Sequence, residues 1–168
     1  MKKFLIIGNI NAVTYNEIFP LIKENKIWLG QNNKGGTKKG NTLLFNTPNV
    51  GTKTFCNIFW YTNLTHPKRN EEIYLYKTYN ETDYPKYDNY DAIEVSKTAE
   101  IPMDYDGVMG VPITFLDKYC PTQFEIVDAR TIALNDKQKN KSTYLIKDAD
   151  SSINGKAKYA RICIKRIS

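Results

Sequence analysis

Phe4-Leu5-Ile6-Ile7-Gly8-Asn9-Ile10-Asn11-Ala12 opens the chain with a continuous apolar run that stops at a Gly-Asn pair. That is the pattern of a short buried strand closed by a turn, here placed at residues 3–8. Beyond it Val13, Ile18, Leu21 and Ile22 recur near a 3.6-residue spacing. Residues 12–25 are therefore expected to form an amphipathic helix, with Asn11 as its N-cap. Pro20 falls inside this pattern and should kink or divide the helix. A tight turn at Asn25 leads to Ile27-Trp28-Leu29, a second short strand within residues 26–30. Strand, helix and strand joined by short links make a βαβ unit with a parallel pair, and so an α/β fold.

Working outward, residues 31–41 form a polar loop rich in Gly and Lys. Strands are expected at 42–45 and 54–62, separated by Asn46-Thr47-Pro48-Asn49-Val50-Gly51. In the longer strand Phe55, Asn57, Phe59 and Tyr61 share one face, and Cys56, Ile58, Trp60 and Thr62 the other. Both faces are mostly apolar, which places the strand inside a sheet covered on two sides. Residues 72–77 are a further strand candidate, 78–89 a tyrosine-rich irregular segment, and 111–119 a helix with Pro112 near its start. Residues 124–127, 143–146 and 159–164 read as strands, with a polar stretch at 135–142 and a turn-rich connector at 150–156.

A chain of 168 residues, 41% hydrophobic and 25% charged, suffices for one ordinary domain and is not disordered as a whole. Twelve Tyr, seven Phe and two Trp supply a core and a contact surface. No apolar run approaches the roughly 20 residues of a membrane helix. Lys2-Lys3 and the apolar residues after them resemble a signal peptide, but Gly8-Asn9 ends the run short of the roughly 7 to 15 residues such a signal needs. The chain is read as soluble and cytoplasmic, without membrane contact.

Cys56, Cys120 and Cys163 are far apart and His66 is the only histidine. A structural zinc needs about four such ligands, usually in close pairs, so the thiols read as buried and reduced. The sequons at Asn63, Asn80 and Asn140 then carry no meaning. Net charge is +6, and it is segregated. Residues 25–70 hold seven bases and no acid, 71–106 hold ten acids against three bases, and 107–168 hold eleven bases against six acids. Such segregation fits a polyanion-binding face with an acidic segment elsewhere, and equally a set of solvated loops.

Gly35-Gly36-Thr37-Lys38-Lys39-Gly40-Asn41-Thr42 nearly matches a phosphate loop, but Asn41 stands where the lysine belongs and a strand follows where a helix should open. Both losses remove the charge and dipole that hold nucleotide phosphates, so an NTPase is rejected. Lys34, Lys38 and Lys39 remain either point charges for phosphates or part of a solvated loop. His66 precedes Pro67 in an exposed turn, which disfavours a histidine-activated nucleophile. Asp83, Asp88, Asp91, Asp104 and Asp106 are plentiful, but no spacing singles out a catalytic pair, and a solvated acidic face is the better reading.

Several segments, taken together, resemble one family. They are the opening run through Ala12, Ile18-Phe19-Pro20-Leu21-Ile22, Lys26-Ile27-Trp28-Leu29-Gly30 and Ile58-Phe59-Trp60-Tyr61-Thr62-Asn63-Leu64. Further on come Tyr84-Pro85-Lys86-Tyr87-Asp88-Asn89-Tyr90-Asp91-Ala92-Ile93, Met109-Gly110-Val111-Pro112-Ile113-Thr114-Phe115-Leu116, and Ile153-Asn154-Gly155-Lys156 with Tyr159 and Arg161. In this order they are similar to the C-terminal half of EcoRI-type adenine-specific DNA methyltransferases, which move a methyl group from S-adenosylmethionine to adenine N6. The family's Asn-Pro-Pro-Phe motif, expected just before the segment matching residues 4–9, is not in this sequence, and neither is its Gly-rich cofactor loop. Base methylation needs an extruded adenine and a methyl donor in one pocket.

The resemblance implies an α/β fold: the distal part of a Rossmann-like methyltransferase sheet, ending antiparallel, over residues 1–77, followed by a β-rich target-recognition region over residues 78–168. Residues 3–8, 27–30 and 55–62 would be its fifth, sixth and seventh strands. Trp60 and Tyr61 become base-stacking candidates, and Asn9 and Asn11 candidates to face the active site. Lys137, Lys139, Lys141, Lys156, Lys158 and Arg161 become phosphate contacts, and Arg130 a reader of a guanine edge. S-adenosylmethionine is the family's cofactor, but this chain alone is not expected to bind it. The partners implied are double-stranded DNA and either a separate N-terminal methyltransferase chain or a second copy. The function expected is part of a truncated or split restriction-modification methyltransferase, inactive alone. The alternative is a non-catalytic DNA-binding or assembly module derived from one.

Overall fold

The opening apolar run forms strand β1 (Leu5–Asn9), and the chain then turns into a short 3-10 helix, Ile10–Thr14. In this computed structural model the described residues are 2–30, 43–48, 51–55, 58–139, 145–146 and 152–167. They divide into two compact units, Met1–Lys68 and Arg69–Ser168, the division falling ahead of position 77.

In the first unit the expected helix over 12–25 is two pieces, the 3-10 turn and α1 (Phe19–Lys23). The break precedes Pro20, which sits in the first turn of α1, where its missing N–H has no partner to lose. The apolar face survives the division, since Val13, Phe19 and Ile22 are all buried. Asn9, not Asn11, is the N-cap, its side-chain oxygen accepting from the Asn11 amide at 2.9 Å. Asn25 adopts a left-handed φ of 55°, which ends the helix and turns the chain into β2 (Trp28–Leu29).

β1 and β2 do not form the expected parallel pair. Strand β5 (Ile58–Thr62) lies between them and runs antiparallel to both, with Leu5 and Trp28 each opposite Thr62. Apolar periodicity marks which residues are strands but not which strand is the neighbour, and the true neighbour arrives after a long excursion. Part of that excursion is a separate hairpin of β3 (Leu43–Thr47) and β4 (Gly51–Phe55), so the single strand expected over 54–62 is divided. β1 is also not buried: Leu5, Ile6 and Ile7 are 53%, 56% and 44% exposed. Residues 31–42 and 56–57, including Lys34, Lys38, Lys39 and Cys56, lie outside the described residues.

The second unit is organised on strand β12 (Arg161–Arg166), whose Ile162, Cys163 and Ile164 are fully buried. β7 (Met109–Pro112), β8 (Phe124–Ile126) and β9 (Leu145–Ile146) pair with it antiparallel, and β6 (Ile93–Glu94) pairs parallel with β7. The helix expected over 111–119 is a strand end followed by a 3-10 turn, Ile113–Asp117, with Pro112 as its cap. Residues 72–77 form no strand, and Lys77 makes an isolated bridge to Pro102. Ile73 is held there by Gln123, whose side chain both accepts from its amide and donates to its carbonyl at 2.8 Å. A short helix, α2 (Asp136–Lys139), precedes a hairpin of β10 (Ser152–Ile153) and β11 (Lys156–Ala157). Tyr87, Tyr90, Ala92, Ala129, Ala133, Ile153 and Cys163 form a core cluster beneath that hairpin. Burial holds the Cys163 thiol protonated by pushing its pKa up. Among the described residues no helix is long and apolar enough to cross a membrane, and no group of His, Cys, Asp and Glu is placed to hold a metal.

Candidate nucleic-acid interface

In the first unit the candidates gather where β1 ends. The Tyr61 hydroxyl donates to the Asn9 carbonyl at 2.8 Å, and the ring is 7% exposed, so Tyr61 is packed into its own unit. Burial raises its pKa from 10.0 to about 12, which keeps the hydroxyl a donor at all ordinary pH. Gly8 leaves the space the ring needs, since a Cβ there would lie 3.0 Å from Tyr61 Cε2. Trp60 points to the opposite face of β5 and is partly exposed. The Asn9 side chain is engaged as a cap, and the Asn11 carbonyl accepts from the Thr14 hydroxyl at 2.8 Å.

In the second unit two sequence segments that lie far apart come together. The β10–β11 hairpin turns through Asn154 and Gly155, both with positive φ, 51° and 72°. Consecutive left-handed residues are what a two-residue hairpin turn of matching twist requires, and Asn-Gly supplies them at least cost. Asp88 binds this turn from outside the hairpin. Its Oδ1 accepts from the Asn154 amide and its Oδ2 from the Gly155 amide, each at 3.0 Å, while its own amide donates to the Ser152 carbonyl at 3.0 Å. The Gly155 amide first, then the Ser152 side chain and the Asn154 amide, hold the Asp88 carboxyl below the ordinary carboxylate range. Lys156, on the strand leaving the turn, is exposed.

A second carboxylate from the same segment fixes the other end. Glu94, 2% exposed, accepts from Arg161 Nε at 3.1 and 3.0 Å and from Nη2 at 2.7 Å, and also from the Tyr87 hydroxyl. Arg161 Nη1 donates to the Tyr159 carbonyl at 2.8 Å. The Arg161 guanidinium is thus committed inside the unit, and its pKa is raised by the Glu94 partnership against the opposing effect of burial. Burial, followed by the Glu94 charge, drives the Tyr87 hydroxyl pKa far up, so it stays a donor.

Arg130, the guanine-reading candidate, forms an ion pair with Asp128 at 2.6 Å on an exposed turn. Lys137 and Lys139 are exposed on α2, Lys139 lying 3.6 Å from Asp136. Lys158 is half-buried on the segment between Lys156 and Arg161, beside the 64% exposed ring of Tyr159. Lys141 lies outside the described residues. A cavity of about 470 Å³ is lined by three acids, Asp83, Glu94 and Glu100, against one base, Lys77, a balance unfavourable to a phosphate. Asp88, Glu94 and Tyr87 are functional residues that the sequence does not single out: Tyr87 and Asp88 fall in the tyrosine-rich segment 78–89, and Glu94 is one of the ten acids of residues 71–106. The signal the sequence does carry is Asn154-Gly155, a strong hairpin mark within the connector expected over 150–156.

The family model described as adenine-specific methyltransferase EcoRI matches residues 1–167. The chain belongs to this EcoRI methyltransferase family. Among curated relatives it is 44% identical to the type II methyltransferase M.EcoRI of Escherichia coli, over 98% of this chain and 50% of that protein. It is 42% identical to M.MgeORF184P of Mycoplasma genitalium and 37% identical to M.MpnI of Mycoplasma pneumoniae, in each case over 98% of this chain and 57% of the relative. The chain thus spans about half the length of the curated methyltransferases it matches. No solved structure shows a significant match to it.

Proposed function

We propose that these residues supply DNA recognition to an adenine-N6 methyltransferase of a restriction-modification system, and that methyl transfer requires the half of the enzyme they do not span. The observation that carries this reading is the family match over residues 1–167, set beside a sequence without the Asn-Pro-Pro-Phe and cofactor-loop motifs. Two features of the fold support it. The central strand β5 runs antiparallel to both neighbours, as the resemblance implies for the seventh strand of a Rossmann-like sheet. β1 stands at the end of the described sheet with three consecutive apolar side chains exposed, as a strand inside a larger sheet would when described without its neighbour. Lys156 on the hairpin of the second unit, with Lys158 after it, then serves as backbone contact, since phosphate neutralisation supplies most sequence-independent affinity.

The second reading, a DNA-binding or assembly module without methylation, rests on the same β1 exposure, which suits a subunit contact as well as a missing sheet. Both readings require duplex affinity that falls with salt. Fluorescence anisotropy with a labelled duplex should show log affinity falling linearly with log salt, at about 0.9 per phosphate neutralised. Absence of binding at low salt would overturn the recognition role.

A further inference from the structure

We propose that Asp88 is a positioning residue for DNA binding, holding the Asn154-Gly155 turn so that Lys156, on the strand leaving it, meets a DNA phosphate. This rests on the recognition role above and adds to it a residue of the wrong charge for direct contact. A hairpin whose strands are two residues long has too few ladder bonds to hold itself. Its turn presents two successive amides outward, and Asp88 takes one with each carboxylate oxygen. A third bond, from the Asp88 amide to the Ser152 carbonyl, reaches the strand entering the turn. Glu94 holds the far end of the same stretch through Arg161 and the Tyr159 carbonyl. One short segment, 88–94, therefore fixes both ends of the stretch that carries Lys156 and Lys158. An exposed acid here repels DNA, so its contribution to binding can only come through the geometry it imposes.

That opposition of signs gives the test. Duplex affinity is measured by anisotropy over a salt series for the full chain and for Asp88→Ala, Asp91→Ala, Lys156→Ala, Gly155→Val and the double Asp88→Ala/Lys156→Ala. Charge alone predicts tighter binding for Asp88→Ala, as for the neighbouring exposed Asp91→Ala. Positioning predicts about five-fold weaker binding and a salt slope smaller by about one, matching Lys156→Ala. The double variant should bind within about two-fold of either single, because both remove one contact. Gly155→Val disrupts the turn with every charge in place, and should weaken binding like Asp88→Ala. Unchanged or tighter binding by Asp88→Ala, unchanged binding by Gly155→Val, or additive losses in the double variant would each overturn the positioning role while the recognition role stands. Failure of the unmodified chain to bind duplex would overturn both.

Discussion

Glu94 is the residue whose surroundings differ most from what its sequence neighbourhood implies. It is one of ten acids set against three bases over residues 71–106, yet its carboxylate is buried against the Arg161 guanidinium, whose side chain is 12% exposed. Removing one member of such a pair leaves the other charge buried and unpaired. Glu94→Gln should therefore destabilise the second unit by about 3 kcal/mol, lowering its thermal midpoint by on the order of 10 °C. A loss below about 1 kcal/mol by denaturant unfolding would mean the pair behaves as an exposed one. Asp88 behaves differently, being exposed and hydrogen-bonded to amides rather than paired with a base. Its folded pKa lies below the ordinary 3.8, so its hold on the turn is complete above that value and is lost as pH falls through the lower, folded pKa. The Asn154 and Gly155 amide shifts in an NMR titration should be flat from neutral pH down to about 4 and move together below it. Movement between pH 5 and 7 would assign the turn to another group. Neither partnership was legible in the sequence, because Glu94–Arg161 and Asp88–Gly155 each join residues 67 apart.

At the scale of elements, strands were more legible than their arrangement. β1, β2, β8 and β12 lie where short apolar runs bounded by turn residues put them. The helix over 12–25 was misread because 3.6-residue spacing tolerates a break into a 3-10 turn and one short helix that bury the same face. The pairing departs from expectation for a deeper reason, since short links favour a parallel neighbour only when no later strand inserts between, and β5 does insert. The burial of β1 was misread because a continuous apolar run reports the environment the strand suits, whereas Leu5, Ile6 and Ile7 are exposed in this chain. An edge strand with apolar side chains on both faces is a template for association. The chain should therefore self-associate as its concentration rises in multi-angle light scattering, and Ile6→Lys should suppress this. Because Ile6 is more than half exposed, the same variant should change folding stability by no more than about 0.5 kcal/mol. A monomer at every concentration, or a large loss of stability in Ile6→Lys, would show that β1 is covered within the chain.

At the scale of the whole molecule, the charge segregation finds a partial explanation in the second unit, where acids of the 71–106 segment brace the basic segment that follows. Asp88 and Glu94 are fastened to the backbone and side chain of residues 154–161. The acidic stretch is to that extent a support for the basic one. No such support, however, supplies methyl-transfer chemistry, which needs donor and adenine in one water-excluded pocket. The relatives are about twice the length of this chain, and the family motifs expected for donor and base are not in its sequence. Incubated with tritium-labelled S-adenosylmethionine and duplex DNA, the purified chain should transfer no label, and calorimetry should give no heat of cofactor binding. Mixed or co-expressed with the half of M.EcoRI that it does not span, it should label adenine. That labelling should fall several-fold when Asp88→Ala weakens duplex binding at moderate salt and recover at low salt, where affinity rises. Label transfer by the chain alone would mean that its own residues hold both reactants, and the division of labour between the two halves would have to be abandoned.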